Sequence, residues 1–219
     1  MSIKLNNNNL KGTIPDEIAN FKNLITLNLS QNEFNLQGTE FPIKITELSK
    51  LQNLYLNNCN LISNTTIING FEEKFITKKI GNLSALKILD LSNNKLNGPL
   101  IFEWGNLKSL EELNISNNDL SGILSSELGN LRKIKKISAG GNLFTGSIPY
   151  EIGNIQSLEE FSFQENSLSG ALPDFTKSNI KVFFVGGNQA LSGNLSVSGL
   201  CKPNLTINID GTNITDDCP

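Results

Sequence analysis

The segment NLFTGSIP, from Asn142 to Pro149, is a close copy of NNLKGTIP at Asn8 to Pro15. Three further versions, NKLNGPL, NDLSGIL and NSLSGALP, begin at positions 94, 118 and 166, so the asparagines at 94, 118, 142 and 166 are spaced by 24 residues. A fixed period in this range is typical of solenoids, in which each repeat is one stacked unit. The sequence therefore predicts one elongated repeat domain.

A second recurring element precedes each asparagine and predicts a strand. Its versions begin at Leu24, Leu51, Leu86, Leu110, Ile134 and Leu158. In LKILDLSNN, apolar residues such as Leu89 and Leu91 alternate with polar ones, so the apolar side chains point inward and those between them point outward. Successive repeats are therefore expected to add one strand each to a parallel sheet.

The repeated asparagines are predicted to have a structural role. A side-chain amide offers one acceptor and two donors, so it can pair the buried backbone groups where the chain leaves each strand. The following Gly and Ile-Pro residues predict a tight coil corner. The asparagines expected to bridge successive coils are Asn32, Asn94, Asn118, Asn142, Asn166 and Asn188.

The joined consensus, LxxLxLxxN followed by xLxGxIPxxIGNLxx, resembles the leucine-rich repeat of the plant-specific subclass, from Ile3 to about Leu195. The resemblance implies an α/β leucine-rich-repeat solenoid of about eight 24-residue repeats, with a parallel sheet on the concave face and an irregular or 3-10 convex side. It also implies a non-catalytic recognition module, similar to the ectodomains of receptor-like kinases and receptor-like proteins.

The end of the chain departs from the period and predicts a cap of residues 196-219 after a solenoid of residues 1-195. A solenoid end exposes apolar core and an unpaired strand edge, which need cover. A disulfide between Cys201 and Cys218 would fasten this cap and resembles the cysteine-bearing caps of secreted family members, which favours an oxidising compartment. Two unlinked thiols are the alternative. Cys59 stands where the repeat has its asparagine and is expected to be a free, buried thiol.

The N-terminus opens inside the repeat pattern, and Met1 is followed by SIKLNNNNL, which contains no signal peptide. Either the chain is shown in a mature or engineered form, or it never enters the secretory path. Three interpretations of the uncapped edge are open: missing upstream residues, a minimal cap formed by Met1 to Leu5, or another chain that covers it. The cap resemblance favours an extracellular or cell-surface location.

Composition and charge narrow the possible functions. A net charge of −3 and a single short basic run, RKIKK at Arg132 to Lys136, argue against a nucleic-acid partner. No apolar run approaches the roughly 18 residues that a membrane span needs. The chain has no histidine, the commonest general base and zinc ligand, so no enzyme, metal or cofactor site is predicted.

Two outward columns on the predicted sheet carry the candidate partner-binding residues. Adjacent strands are about 4.8 Å apart, so Glu112, Lys136 and Glu160 should form an alternating charged row, and Lys136 separates the two carboxylates. The row either keeps the sheet soluble or selects a protein, peptide or glycan partner that exposed Tyr55 and Phe184 anchor. The candidate contact residues are Tyr55, Asp90, Glu112, Lys136, Glu160 and Phe184.

The period is broken by an insertion at about residues 61-82, which adds about eleven residues. Phe71 and Phe75 in this insertion either tuck back onto the convex side or form a small docking island. Sequons of the N-x-[ST] type also occur along the chain. The candidate glycosylation sites among them are Asn64, Asn82, Asn204 and Asn213.

Three functions fit these observations. The first is an extracellular recognition module that binds its partner on the concave face. The second is a secreted inhibitor of a cell-wall hydrolase, which a concave acidic patch would favour. The third is a structural or adhesive component of a wall or surface.

Overall fold

The computed structural model describes residues 1–34, 38–68 and 71–219. In this part of the chain, nine short strands lie side by side in sequence order as one parallel sheet, the main sheet. Its strands are Ser2–Lys4, Thr26–Asn28, Asn53–Tyr55, Ile88–Asp90, Glu112–Asn114, Lys136–Ser138, Glu160–Ser162, Val182–Phe184 and Thr206–Asn208. The predicted leucine-rich-repeat solenoid is confirmed.

A second parallel sheet of six strands runs along one flank and comes from the LxG half of the repeats. Its strands are Asn97–Gly98, Asp119–Ile123, Leu143–Gly146, Ser167–Ala171, Ala190–Asn194 and Asn213–Thr215. The sequence predicts only a coil corner in this region. Extended backbone in stacked coils directs N–H and C=O groups at the next coil, and pairing across coils satisfies them.

Short helical turns close the coils on the convex side. In the described ranges, five are 3-10 helices and one is a single α-helical turn: Asp16–Asn20, Ile43–Glu47, Lys78–Asn82, Phe102–Asn106, Ser126–Asn130 and the α-helical Tyr150–Gly153. These turns stack so closely that a Cβ added at Gly129 would lie 2.4 Å from the Cβ of Glu151 in the next coil. The glycine of the recurring GN sequence therefore permits the coils to approach each other.

One apolar core extends between the main sheet and the convex turns. The central strand residues Leu27, Leu54 and Leu89 are completely buried. In the C-terminal coils the same position is taken by Phe161 and Phe183, whose ring centroids lie 5.7 Å apart in a stacked arrangement. Burial of a side chain of this kind contributes about 1.5–3 kcal/mol. Because the core is continuous, each coil is stabilised by contacts with its neighbours.

The asparagines bridge successive coils as predicted. Asn118 donates its Nδ2 to the carbonyl oxygens of Leu91 in the preceding coil and of Ile115 in its own coil, each at 3.1 Å. Its Oδ1 accepts the backbone N–H of Leu96 at 3.0 Å. Equivalent contacts are made by Asn32, Asn94, Asn142, Asn166 and Asn188.

Cys59 occupies the asparagine position in its coil, is free and is completely buried, as predicted. Its Sγ donates to the carbonyl oxygen of Leu29 at 3.1 Å, the same carbonyl that accepts from Asn32. Burial raises the pKa of the Cys59 thiol to about 11. The thiol is therefore protonated at physiological pH and replaces one of the amide's donor contacts.

The predicted Cys201–Cys218 disulfide is present. The strands Thr206–Asn208 and Asn213–Thr215 lie between the two cysteines and are the last strands of the main and second sheets. The disulfide thus holds together the segment that ends both sheets. The division of the chain at residues 195 and 196 stays a prediction.

The insertion forms an antiparallel hairpin of Asn64–Ile68 and Phe71–Phe75. Phe75 is 4% exposed, so its side chain is buried as one of the two interpretations requires. The prediction for the side chain of Phe71 lies outside the described residues. The docking role of the insertion stays a prediction.

Candidate functional site

The concave face of the main sheet carries the two predicted columns in register. In the first column, Lys136 lies opposite Glu112 on one adjacent strand and opposite Glu160 on the other. In the second column, Tyr55 lies opposite Asp90 on the adjacent strand. The predicted register is confirmed, and Glu112, Lys136 and Glu160 form one continuous row across three coils.

Phe184 lies at the other end of the second column, where it pairs with Ser162. Tyr55 and Phe184 are therefore in the same column but on distant strands, with the strands of Asp90, Asn114, Ser138 and Ser162 between them. Both aromatic side chains are half-buried. The structure thus brings Tyr55 to Asp90 and keeps Phe184 as a separate contact point.

Sequence reasoning missed a second charged row, which lies directly before the strands and is here called the edge row. It consists of Lys87, Glu111, Lys135, Glu159 and Lys181, whose backbones are hydrogen bonded from coil to coil. The Nζ of Lys135 lies 2.7 Å from Oε2 of Glu111, and the Nζ of Lys181 lies 2.7 Å from Oε2 of Glu159. The signal was present in the sequence, since these residues hold the second position of LxxLxL.

These ion pairs set the electrostatics of the face. The hydrogen bond from Lys135, together with its charge, lowers the pKa of Glu111, and Lys181 lowers the pKa of Glu159 in the same way. In the first column, Lys136 approaches Glu160 only to 3.9 Å. The lysines are exposed and the glutamates are half-buried, so solvent screens the pairs and they add little to stability. Since acidic and basic residues alternate along both rows, the rows present a balanced pattern of charge.

Tyr55 and Asp90 form one polar contact point of the face. Burial, followed by the charges of Glu112 and Asp90, raises the pKa of Tyr55, so its phenol stays protonated and can donate a hydrogen bond. Oδ1 of Asp90 accepts the backbone N–H of Ser92 at 3.0 Å and its hydroxyl at 2.7 Å. These bonds hold the carboxylate in one orientation, and its second oxygen is available to a partner.

The structure contradicts one candidate glycosylation site. Asn64 is 4% exposed, and its Nδ2, the atom that would bear a glycan, donates to the carbonyl oxygen of Phe41 at 3.0 Å. A glycan on this atom would replace this bond at a buried position. Asn82, Asn204 and Asn213 are exposed, although Nδ2 of Asn213 donates to the carbonyl oxygen of Gln189 at 2.8 Å, and the modification of all three stays a prediction.

Within the described residues, no helix has the length and apolar character that crossing a membrane requires. The same part of the chain contains no group of three or more His, Cys, Asp or Glu residues that could hold a metal ion.

The leucine-rich repeat family model matches residues 1–21, 85–107 and 109–131. Over these ranges the chain is similar to leucine-rich repeats. The chain is 35% identical over 109 residues to Receptor-like protein 7 of Arabidopsis thaliana. The matching region is 45% of the chain and 11% of that relative, so the chain spans only about a tenth of it.

Comparison with solved structures also finds similarity to plant receptors. The chain superimposes on the Arabidopsis receptor kinase HAESA, which was solved with the peptide hormone IDA and the co-receptor SERK1. The TM-score is 0.84 and the sequence identity is 25%, and the match covers 97% of the chain and 34% of HAESA. A plant ice-binding protein gives a TM-score of 0.79 at 23% identity over 97% of the chain and 65% of that protein, which shows a shared fold. The chain therefore resembles the ectodomains of plant receptor-like proteins and receptor kinases.

Proposed function

We propose that the chain is a non-catalytic, extracellular recognition module that binds a protein or peptide partner on the concave face of its main sheet. The observation that carries this proposal is the continuous row Glu112, Lys136 and Glu160, aligned across three coils. Neighbouring residues of the row lie on strands about 4.8 Å apart, so an extended ligand can contact several coils at once.

The chemistry of the face favours a partner with both apolar and charged groups. Tyr55 and Phe184 supply half-buried aromatic surfaces, and aromatic residues are enriched at binding hot spots. The exposed Lys136 and the half-buried Glu160 can exchange their weak mutual contact for contacts with opposite charges on a ligand. The peptide-bound structure of HAESA, which the chain resembles, supports a peptide as the partner class.

Location and lack of catalysis are inferred from other features. The Cys201–Cys218 disulfide and the likeness to receptor ectodomains support a secreted or cell-surface protein, and the exposed Asn82 and Asn204 support a glycoprotein. The chain has no histidine, and the carboxylates of the first column are separated by Lys136. The balanced charge of the rows gives no specific support to a hydrolase inhibitor that docks through an acidic patch.

The proposal is tested with the triple variant Glu112→Lys, Lys136→Glu, Glu160→Lys, the inverted-row variant. It reverses each charge but keeps their alternation, so the fold should be undisturbed. Wild type and variant are immobilised, exposed to the extracellular fluid of the source organism, and the captured peptides and proteins are identified by mass spectrometry. A Phe102→Ala, Tyr150→Ala double variant on the convex side is the matched control.

We expect wild type and control to retain a partner whose affinity for the inverted-row variant is lower by about tenfold or more. A tenfold loss corresponds to about 1.4 kcal/mol of binding free energy. Equal recovery on all three baits would contradict binding by this row. No partner on any bait, together with self-association in size-exclusion chromatography, would support the structural or adhesive alternative instead.

A further inference from the structure

We propose that the convex flank carries a second binding site, for a neutral oligosaccharide chain, centred on Phe102, Ser126 and Tyr150. These residues begin three successive turns, Phe102–Asn106, Ser126–Asn130 and Tyr150–Gly153. They therefore occupy equivalent positions in adjacent coils and form a column on the side away from the concave face. The inference does not depend on the function proposed for the concave face.

The two aromatic side chains of this column are unusually exposed. Phe102 is 62% exposed and Tyr150 is 69% exposed, whereas Trp104, Phe144 and Phe161 of the same coils are at most 1% exposed. Exposed aromatic rings at repeated positions present apolar faces to solvent, and the ring of a sugar has an apolar face of similar size. The small Ser126 occupies the equivalent position in the coil between them.

A cavity of about 330 Å³ adjoins this column between the turns Ser126–Asn130 and Tyr150–Gly153. It is lined by Ser126, Arg132, Glu151 and Gln156, among others. Within the part of the chain that the structure describes, the side chains of these four residues make no hydrogen bond or ion pair with the protein. Their donors and acceptors are therefore available to a ligand.

The two amides that also line the cavity are already engaged. Asn154 donates to the carbonyl oxygen of Tyr150 at 3.2 Å and accepts from Nζ of Lys177 at 3.1 Å. Asn130 donates to a carboxylate oxygen of Glu127. These two amides are therefore less available to a ligand than the side chains of Arg132 and Glu151.

This combination matches a sugar chain. Hydroxyl groups can donate to the Glu151 carboxylate and the Gln156 amide oxygen, and they can accept from the Arg132 guanidinium. One positive and one negative charge at the cavity offset each other, which favours a ligand without net charge. The volume is at the lower end of the range for ligand pockets and corresponds to a short stretch of the chain.

A protein partner fits the same surface less well. Protein interfaces centre on contiguous apolar patches with desolvated anchors. Here the rings of Phe102 and Tyr150 are separated by Ser126, and the adjoining cavity is lined by charged and polar groups. A polymer that stacks on the exposed rings and also bonds to the polar groups of the adjoining cavity uses all of these features.

The test is affinity electrophoresis through gels that contain laminarin, xyloglucan or galactomannan as neutral probes, with polygalacturonate as an acidic probe and a plain gel as reference. The full chain is compared with Phe102→Ala, Tyr150→Ala and with Glu151→Gln. Tyr55→Ala, on the concave face, is the matched aromatic control. The two rings are exposed, so their removal should leave the fold intact, and circular dichroism checks this.

We expect wild type and Tyr55→Ala to be retarded equally by at least one neutral probe. The double variant should lose about tenfold or more in affinity and Glu151→Gln a smaller factor, because the double variant removes two stacking surfaces whereas Glu151→Gln weakens one hydrogen bond. Absence of retardation in every neutral gel, binding to polygalacturonate alone, or equal retardation of the double variant would each overturn the proposal. Loss of a captured protein partner by this same double variant would identify a protein site and would overturn it too. The inverted-row variant should lose the captured partner but keep its retardation by the neutral probe, whereas the Phe102→Ala, Tyr150→Ala variant should do the reverse, so the failure of either proposed site can be told from the failure of the other.

Discussion

Asn142 offers a direct test of how the coils are held together, by the substitution Asn142→Ala. The side chain is 5% exposed. Its Nδ2 donates to the carbonyl oxygens of Ile115 and Ala139, each at 3.0 Å, and its Oδ1 accepts the buried N–H of Leu120 at 3.1 Å. Alanine removes all three bonds at once.

The loss is limited because neighbouring asparagines share the same carbonyls. Ile115 also accepts from Asn118, and Ala139 also accepts from Asn166, each at 3.1 Å. Only the N–H of Leu120 then loses its side-chain acceptor, which costs about 1–3 kcal/mol, and the two lost bonds to paired carbonyls add roughly 0.5–1.5 kcal/mol each. We therefore expect the free energy of unfolding to fall by about 3 kcal/mol.

The assay is urea unfolding followed by far-UV circular dichroism and by the fluorescence of Trp104, the single tryptophan, which is 1% exposed. The matched control is Asn154→Ala, because Asn154 is exposed and makes its bonds at the surface. A third variant, Asn142→Asp, keeps the acceptor for Leu120 but sets a carboxylate oxygen against two carbonyls.

Burial among acceptors raises the folded-state pKa of this new carboxyl above its unfolded value of about 3.9. Its contribution to stability is therefore greatest below that value and is lost as pH rises through the folded-state pKa. A loss in Asn142→Ala below about 1 kcal/mol with an unchanged denaturant slope, equal to that of Asn154→Ala, would refute the reasoning.

Two further predictions concern the cysteines. Reduction of the Cys201–Cys218 disulfide, which closes a separation of 17 residues, should lower the free energy of unfolding by about 3 kcal/mol; identical urea transitions with and without reductant, in a Cys59→Ser background, would argue against this. Cys59 is completely buried and the pKa of its thiol is raised to about 11, so a maleimide should modify it at about pH 8 only after unfolding; rapid labelling of the native chain, detected by intact mass, would show that this coil opens readily.

The main sheet could be predicted because one short pattern determines each strand. Alternation of Leu89 and Leu91 with polar residues specifies which side is buried, and the 24-residue spacing specifies the neighbour. The columns that contain Tyr55, Glu112 and Glu160 followed from the same spacing. The asparagine contacts were predictable as well, since a buried turn leaves backbone groups that only a side-chain amide at that position can pair.

The second sheet could not be predicted in the same way. The strand Leu143–Gly146 lies in the quoted segment, whose Asn, Gly and Pro residues are typical of turns. Pairing there depends on the stacking of the next coil, which local sequence does not contain. The Asn64 sequon failed for a related reason, because a three-residue pattern carries no information on burial.

By itself, the sequence determined the period, the inward residues of each strand and the position of the bridging asparagines, because these depend on local alternation and on a constant repeat length. Only the tertiary structure decided which aligned groups come into contact and which stay apart. Lys135 and Glu111 are 2.7 Å from each other, whereas Lys136 approaches Glu160 only to 3.9 Å, and Phe102 and Tyr150 lie in one exposed column near a cavity. The physical reason is that side-chain contacts between coils depend on how closely the backbones stack and on where each side chain is buried, which no single repeat specifies.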